Sequence, residues 1–306
     1  MQNRFFNSVL TLLFFLLLHL FSLSAHAISW RQQTGSLTLL DNNKAVIWRF
    51  NYKNKFDKPF FHPIYLADRT LITRHQPDSD EHPWHKGLWF SFKFINGTNF
   101  WEEDKQTGVS DGTTLLSDID LTLNDDGSAI IKLILLYQIH KHSMISEKRI
   151  ISVSAPKKDG SLDIDWMADF TALEAVHLSR TPILGEKNGR SYGGYAGLSW
   201  RFSPELKKYW QFSYQQNTLA KQIHGKNLPW LYYGGDNGGV QISNNQSSVT
   251  KQTEAWYVSQ YMPFISPAFL FAGDQYFKQG ESWSLSYQIQ IFRQPTAAAL
   301  RLTTDR

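Results

Sequence analysis

The sequence predicts an all-β fold, one large antiparallel β-sandwich in a single domain, and three observations predict it. Apolar residues recur with a period of two in short runs bounded by turn residues along the chain, the pattern of strands with one buried face. No segment carries the 3.6-residue periodicity of a long amphipathic helix. No interior stretch reads as a flexible linker, and no fixed period suggests a propeller or solenoid, so strands without intervening helices must pack as sheet on sheet.

Taken in order, the chain begins MQNRFFNSVLTLLFFLLLHLFSLSAHA: a short n-region with Arg4, an apolar run from Val9 to Leu23, and small residues around a cleavage position at Ala25-His26-Ala27. This is the pattern of a secretory signal, so residues 1–27 are expected to be a signal peptide and residues 28–306 the folded domain. The alternative is an uncleaved anchor, because the run approaches the length of a spanning helix; no later segment does. The first strong strand is 45–52 (AVIWRFNY).

Next come two aromatic-rich runs, 87–95 (GLWFSFKFI) and 98–102 (TNFWE), separated by Asn96-Gly97, the strongest short signal for a two-residue hairpin. That turn pairs Ile95 with Thr98, Lys93 with Phe100, Phe92 with Trp101, Ser91 with Glu102 and Trp89 with Asp104. Opposed residues share a face. Phe90, Phe92, Phe94 and Trp101 are therefore expected to face the core, and Trp89, Ser91, Lys93, Glu102, Asp104 and His85 the other side.

Further strands are read at 129–139, 148–155, 161–171, 197–202, 210–215, 239–243, 256–261 and 283–292. Turn residues punctuate them at Asp125-Asp126-Gly127, Lys158-Asp159-Gly160, Asn188-Gly189, Asp236–Gly239 and Gln279-Gly280. The tail after Gln294 is expected to be frayed.

With no cysteine, the chain has no disulfide framework, no thiolate metal site and no cysteine nucleophile. The formal charge of +4, which loses Arg4 with the signal, is too small to argue for nucleic acid as a partner. Aromatic residues at 15% are more informative, because Trp and Tyr stack on sugar faces as well as filling sandwich cores.

The segment 59–104 holds His62, His75, His82 and His85, four of ten histidines. His82 precedes Pro83, so His82-Pro83-Trp84-His85 is a loop and not the helix-borne i, i+4 pair of a zinc peptidase. Hydrogen bonding at a loop rim accounts for any one of these histidines. The cluster points to a site, since imidazole is the usual proton-transfer group near neutral pH. A metal held by His62, His82, His85 and a carboxylate is chemically open, but no metal ligand is assigned.

Glu102, Glu103 and Asp104 invite a paired-carboxylate reading, but their spacing does not make a facing pair. Arg149, in Glu147-Lys148-Arg149, could bind an anion from a strand or sit in an exposed ion pair. In 192–201 (YGGYAGLSWR) the glycines allow close backbone approach, and Arg201 leaves the loop on a strand where it could fork a carboxylate; no helix follows, which excludes a dinucleotide fingerprint.

His62-Pro63, His82-Pro83-Trp84-His85-Lys86-Gly87-Leu88-Trp89, Asn96-Gly97 and Phe100-Trp101 resemble a bacterial exported family known as PmoA-like, or as a domain of unknown function. Its motifs run approximately FHP, DHPHHRGLW, NG and FW, followed by a glycine-rich GGLxxR that corresponds to Gly194–Arg201 here. Two positions depart from the pattern: the family's middle histidine is Trp84 and its arginine is Lys86. The methane-oxygenase label attached to that name does not suit a chain with one removable apolar segment.

What the resemblance implies is a galactose-mutarotase-like supersandwich in exported proteins of polysaccharide degradation. The expected function is a periplasmic carbohydrate-active enzyme that acts on oligosaccharides, acidic ones included, by β-elimination as a lyase or dehydratase. The alternatives are a non-catalytic sugar-binding module, or a hydrolase or epimerase on the same scaffold. For elimination, His82 or His85 is the candidate base, His62 or Tyr192 the acid and Arg201 or Arg149 the carboxylate clamp, with Trp89, Trp101 and Glu102 binding substrate. The expected partner is an oligosaccharide, with no nucleic acid and no membrane after signal cleavage; the sequence names no cofactor and no oligomeric state.

Overall fold

A computed structural model describes residues 28–53, 58–76, 81–217, 219–236, 238–244 and 254–292. The expected signal peptide and the tail after Gln294 lie outside the described residues. Alternation dictates the larger sheet. Strands Ala129–Ile139, His142–Val153, Leu162–Ala172 and Ser282–Phe292 run antiparallel and bury every second side chain on one face, from Ile131, Leu133 and Tyr137 to Trp166, Phe170, Leu285 and Ile289. They form the centre of a nine-stranded sheet with Thr113–Leu123 at one edge and Gly238–Asn244, Trp230–Gly235, Gln211–Tyr214 and Gln216–Asn217 toward the other.

A second, eight-stranded antiparallel sheet has the order Ser29–Gln33, Ser36–Leu40, Val46–Asn51, Phe60–Ile64, Leu88–Ser91, Gly197–Arg201, Phe264–Ala268, Ala255–Val258. Its inner face, with Leu39, Trp48, Phe61, Leu88, Phe90, Leu198, Trp200 and Ile265, belongs to the same core as the inner face of the first sheet. Phe90 lies 5.4 Å from Phe170 across that interface. The architecture is the all-β sandwich that the periodicity predicts.

The Asn96-Gly97 hairpin has the expected register, Ile95 opposite Thr98 and Phe94 opposite Asn99, but it sits in a small four-stranded sheet with Val176–Ser179 and Gln275–Phe277. Two expectations about it are corrected. The run 87–95 is two strands, Leu88–Ser91 and Phe94–Ile95, broken at Phe92-Lys93. The ladder ends at Asn99, with one further bond from the Phe100 amide to the Lys93 carbonyl at 3.0 Å; the Asn99 side-chain oxygen then accepts hydrogen bonds from the Trp101 and Glu102 amides at 2.9 and 3.3 Å and turns the chain. Phe100 consequently enters the core, while Trp101 swings to the opposite side beside Trp89. Asp104 caps its own turn, accepting from the amides of Gln106 and Thr107.

Arg149 is also relocated. It stands on the inner face of the larger sheet, fully buried, with its Nε 2.6 Å and Nη2 2.9 Å from the Glu147 carboxylate. Its guanidinium lies over the rings of Trp166 and Phe90, and Tyr137 donates to Glu147 at 2.5 Å. This ion pair is sealed between the sheets, neither at a surface nor at a site. Its sequence signature, a charged pair inside an alternating strand, does not reveal which face it takes.

Candidate functional site

Cross-strand pairing defines a second face. Phe60 opposes Trp89, Trp89 opposes Ser199, Arg201 opposes Phe264 and Tyr257 opposes Ser266, so these residues stand together on the outer side of the eight-stranded sheet. An outer sheet face ordinarily meets water. Here Trp89, Ser199, Arg201 and Ser266 are buried, because side chains from the loops around Trp84, Trp101, Tyr195 and Met262 pack over them. The loop around Met262 exists because the strand expected over 256–261 ends at Val258.

Between the sheet and these loops is a cavity of about 220 Å³, lined by Trp84, Trp101, Tyr192, Tyr195, Tyr257, Tyr261, Met262 and Phe264, with His82, His85, Glu102 and Ser259 as its polar groups. The volume is below that of cavities for drug-sized ligands and suits one small ring. Tyr192 and Tyr261 are largely exposed at its mouth. Trp101 and Tyr195 are tilted against each other at 4.9 Å, and Tyr195 meets Tyr257 edge-on at 5.4 Å.

One wall presents the Glu102 carboxylate. Lys93 Nζ pairs with Oε2, and Tyr195 OH donates to Oε1 at 3.0 Å. Lys93 is buried, and burial lowers its pKa against the pull of Glu102. Burial, and then the adjacent Glu102 charge, raises the Tyr195 phenol, which therefore stays a donor. Glu102 is a fixed, oriented acceptor.

The other wall is imidazole. Backbone φ of +51° at His82, in the left-handed region and directly before Pro83, costs on the order of 1–3 kcal/mol and turns the loop back, with His85 N–H donating to the His82 carbonyl at 3.0 Å. The rings of His82 and His85 stack at 4.8 Å, and His85 stacks in turn on Phe264 at 5.1 Å. Gly87 ends the loop at φ +74°, where a Cβ would lie 2.4 Å from the Phe61 carbonyl oxygen. Burial holds His85 well below the usual imidazole range, with His82 and Arg201 adding to it. Burial lowers His82 as well, then Arg201, partly offset by Glu81. Both rings are neutral bases at pH 7.

Behind His82 lies a second charged group. Arg201 Nη2 donates to Glu81 Oε1 at 2.8 Å and Arg74 Nη1 is 3.3 Å from Oε2. Burial, then the neighbouring Arg74, lowers the Arg201 pKa to about 10. Lys86 and Lys58 both reach Glu103 Oε1, at 3.0 and 2.9 Å, and tie the histidine loop to the Trp101–Glu103 turn. That gives Lys86, where the family pattern has arginine, a buried ion pair of its own.

His82, His85, Tyr192, Glu102 and Trp101 are thus brought to one cavity, with Trp89 immediately beneath it, 5.3 Å from His85. Arg201 adjoins it from the same sheet face. His62 does not line it: its Nδ1 lies 2.9 Å from Thr73 Oγ1, burial lowers its pKa to about 4, and its ring meets that of His75, whose Nδ1 is 3.2 Å from the His85 carbonyl. Arg149 lies in the core, as described. Among the described residues no group of three or more histidine or acidic side chains is placed to hold a metal ion. Tyr195, Tyr257 and Phe264 were not assigned to the site from sequence: Tyr195 lies in the glycine-rich 192–201 run, and Tyr257 and Phe264 come from one pair of adjacent strands far from the histidine loop, where strand parity around Ser199 and Ser266 is the signal that could have flagged them.

The sequence profile of a family described as "Family of unknown function (DUF6807)" matches residues 38–301. No curated protein matches. Among solved structures, the chain is similar to the Slr1438 protein from Synechocystis sp. PCC 6803, at 8% identity and a TM-score of 0.37 over 87% of this chain and 96% of that one. It is also similar to a galactose mutarotase related enzyme from Lactobacillus acidophilus, at 5% identity and a TM-score of 0.34 over 86% of this chain and 97% of that one. Likeness at this level carries no argument about substrate or mechanism.

Proposed function

The chain belongs to DUF6807, a family of unknown function, and from its own residues we propose that it is a carbohydrate-active enzyme that takes one terminal sugar ring of an oligosaccharide and acts on it by β-elimination. The observation that carries this reading is the ring-sized, aromatic-walled cavity with a fixed carboxylate on one wall and two stacked neutral imidazoles on the other. Aromatic walls hold the apolar faces of a sugar ring, and Glu102, oriented by Lys93 and Tyr195, accepts from its hydroxyls.

His82 is the base: it is neutral, lines the cavity and is the more exposed of the two imidazoles. It takes the proton from the carbon next to the sugar's acidic group. The C–H electron pair becomes the new C=C bond as the β C–O bond breaks, and the departing oxygen takes a proton from Tyr192 at the mouth. Arg201, on the same sheet face, supplies the cation that a developing enolate needs. His85, packed between His82 and Phe264, positions the His82 ring.

In this reading the leader is removed after Ala27 and the enzyme works in the periplasm, which the apolar run Val9–Leu23 and the small residues before Ile28 support. Among the described residues no helix is long and apolar enough to cross a membrane. A second reading, a non-catalytic sugar-binding module, is favoured by one observation: both Glu102 oxygens are already engaged, as in a recognition group.

Mass spectrometry of products from acidic and neutral oligosaccharides tests the proposal. Elimination yields an unsaturated fragment one water lighter than the hydrolytic product, and His82→Gln stops its formation while binding persists. Hydrolytic masses, or an unsaturated product from a folded His82→Gln protein, would overturn the mechanism; binding with unchanged oligosaccharides would leave the module.

A further inference from the structure

We infer that the place now taken by the Glu81 carboxylate is the seat for the carboxylate of an acidic sugar, and that such a substrate binds by displacing Glu81 from Arg201 and Arg74. The inference rests on the sugar reading above and adds the substrate class and the way it is recognised.

Arg201 is 1% exposed, yet among the described residues its Nη2 alone has a side-chain partner, and Nε and Nη1 are buried with none. A buried guanidinium with two nitrogens unsatisfied is costly, and a planar carboxylate offering two oxygens is the group that matches its fork. Glu81 does not satisfy it. Glu81 spreads its two oxygens between Arg201 at 2.8 Å and Arg74 at 3.3 Å, with its side chain 55% exposed. An ion pair that open to water is weak, so its carboxylate can be exchanged for another.

The seat adjoins the cavity. Glu81 Oε1 is 4.0 Å from His82 Nδ1, His82 lines the cavity, and Arg201 stands directly across the strands from Phe264 on the cavity wall. A carboxylate substituent on a ring stacked in the cavity would reach past His82 to Arg201, which places the base beside the carbon that bears the acidic group. On the opposite wall Lys93 is already paired with the Glu102 carboxylate, which would repel a second anion. A neutral sugar would find the same aromatic walls but leave Glu81 in place.

Isothermal titration of the full mature chain with D-glucuronate and, separately, D-glucose tests this. Wild-type protein is expected to bind glucuronate more tightly than glucose. Glu81→Gln, which removes the competing carboxylate at an exposed position, should tighten glucuronate binding about tenfold and leave glucose unchanged. Arg201→Lys, which loses the fork, should abolish the preference, and Arg74→Gln, at the edge of the seat, should reduce it and reports on the seat should the buried lysine unfold the protein. Equal wild-type affinity for the two sugars, or a Glu81→Gln protein that binds glucuronate no better, would overturn the inference. Glucose binding without a glucuronate preference would sink the carboxylate seat alone; no binding of either sugar would sink the sugar reading with it.

Discussion

Replacing Arg149 by Met should cost the fold about 3–5 kcal/mol and leave ligand binding untouched, because the guanidinium serves the core and not the site. In the intact protein Glu147 accepts from Arg149 Nε at 2.6 Å, from Nη2 at 2.9 Å and from Tyr137 OH at 2.5 Å, all fully buried. Removing Arg149 strands an anion between two apolar sheet faces with the Tyr137 hydroxyl as its remaining donor. The stacking of the guanidinium over Trp166 at 4.9 Å goes too, a further ~1–2 kcal/mol that the Met side chain partly restores. Removing both charges is a different perturbation: Glu147→Leu with Arg149→Met should recover most of that loss, since desolvation of the pair is then avoided, leaving the orphaned Tyr137 hydroxyl as a cost of about 1–3 kcal/mol. Urea unfolding of wild type, both single variants and the double gives the coupling energy directly. A folded single variant within ~1 kcal/mol of wild type would refute the burial argument, and one of normal stability that no longer binds sugar would return Arg149 to the site.

Other expectations follow from the same residues. Burial raises the Glu254 carboxyl to about 8, with the Tyr287 hydroxyl 3.2 Å away, so its folded pKa lies above the unfolded 4.5; its contribution to stability is full below that value and lost as pH rises toward 8. Glu254→Gln should flatten this loss and be more stable than wild type at alkaline pH, by chemical denaturation. His62 has the opposite sign for the same cause: burial lowers it from 6.5 to about 4, so its stabilisation is full above the unfolded pKa and lost as pH falls across that window. The difference in unfolding free energy between wild type and His62→Gln should therefore shrink on going from neutral pH to the lower end of the window. Tyr261→Ala, at a mouth position 73% exposed, should leave the melting temperature alone and weaken sugar binding by roughly 3- to 10-fold, the worth of one aromatic contact; unchanged affinity would move the ligand away from that rim.

What could be read from the sequence was what alternation and turn chemistry determine. The strand 129–139 is found where expected, and Asn96-Gly97 fixed the pairing of Ile95 with Thr98 because a two-residue turn leaves no freedom of register. Parity extended from that turn also set Trp89, Lys93 and His85 on the face away from the core. It failed at Trp101, since the Asn99 side chain captured the Trp101 and Glu102 amides and ended the ladder, a choice between strand and Asx turn that is decided by what the turn packs against, and at Phe94, which is half-buried outside the core beyond the break at Phe92-Lys93. Strand Phe60–Ile64 was passed over because its alternation is interrupted by His62-Pro63. The site itself was half legible. The histidine loop and Glu102 are local in sequence, whereas Tyr195, Tyr257 and Phe264 arrive through the long-range pairings of Trp89 with Ser199 and of Arg201 with Phe264, and the Arg201–Glu81 contact joins residues 120 apart.

The most direct test of the central claim is a crystal structure of the His82→Gln protein soaked with an unsaturated or intact acidic disaccharide. The account predicts a single ring within the cavity, flanked by Trp101 and Tyr257, hydroxyls on Glu102, and its carboxylate on Arg201 with Glu81 turned out to solvent. A cavity that stays closed to the sugar, with ligand density elsewhere on the protein, would contradict it.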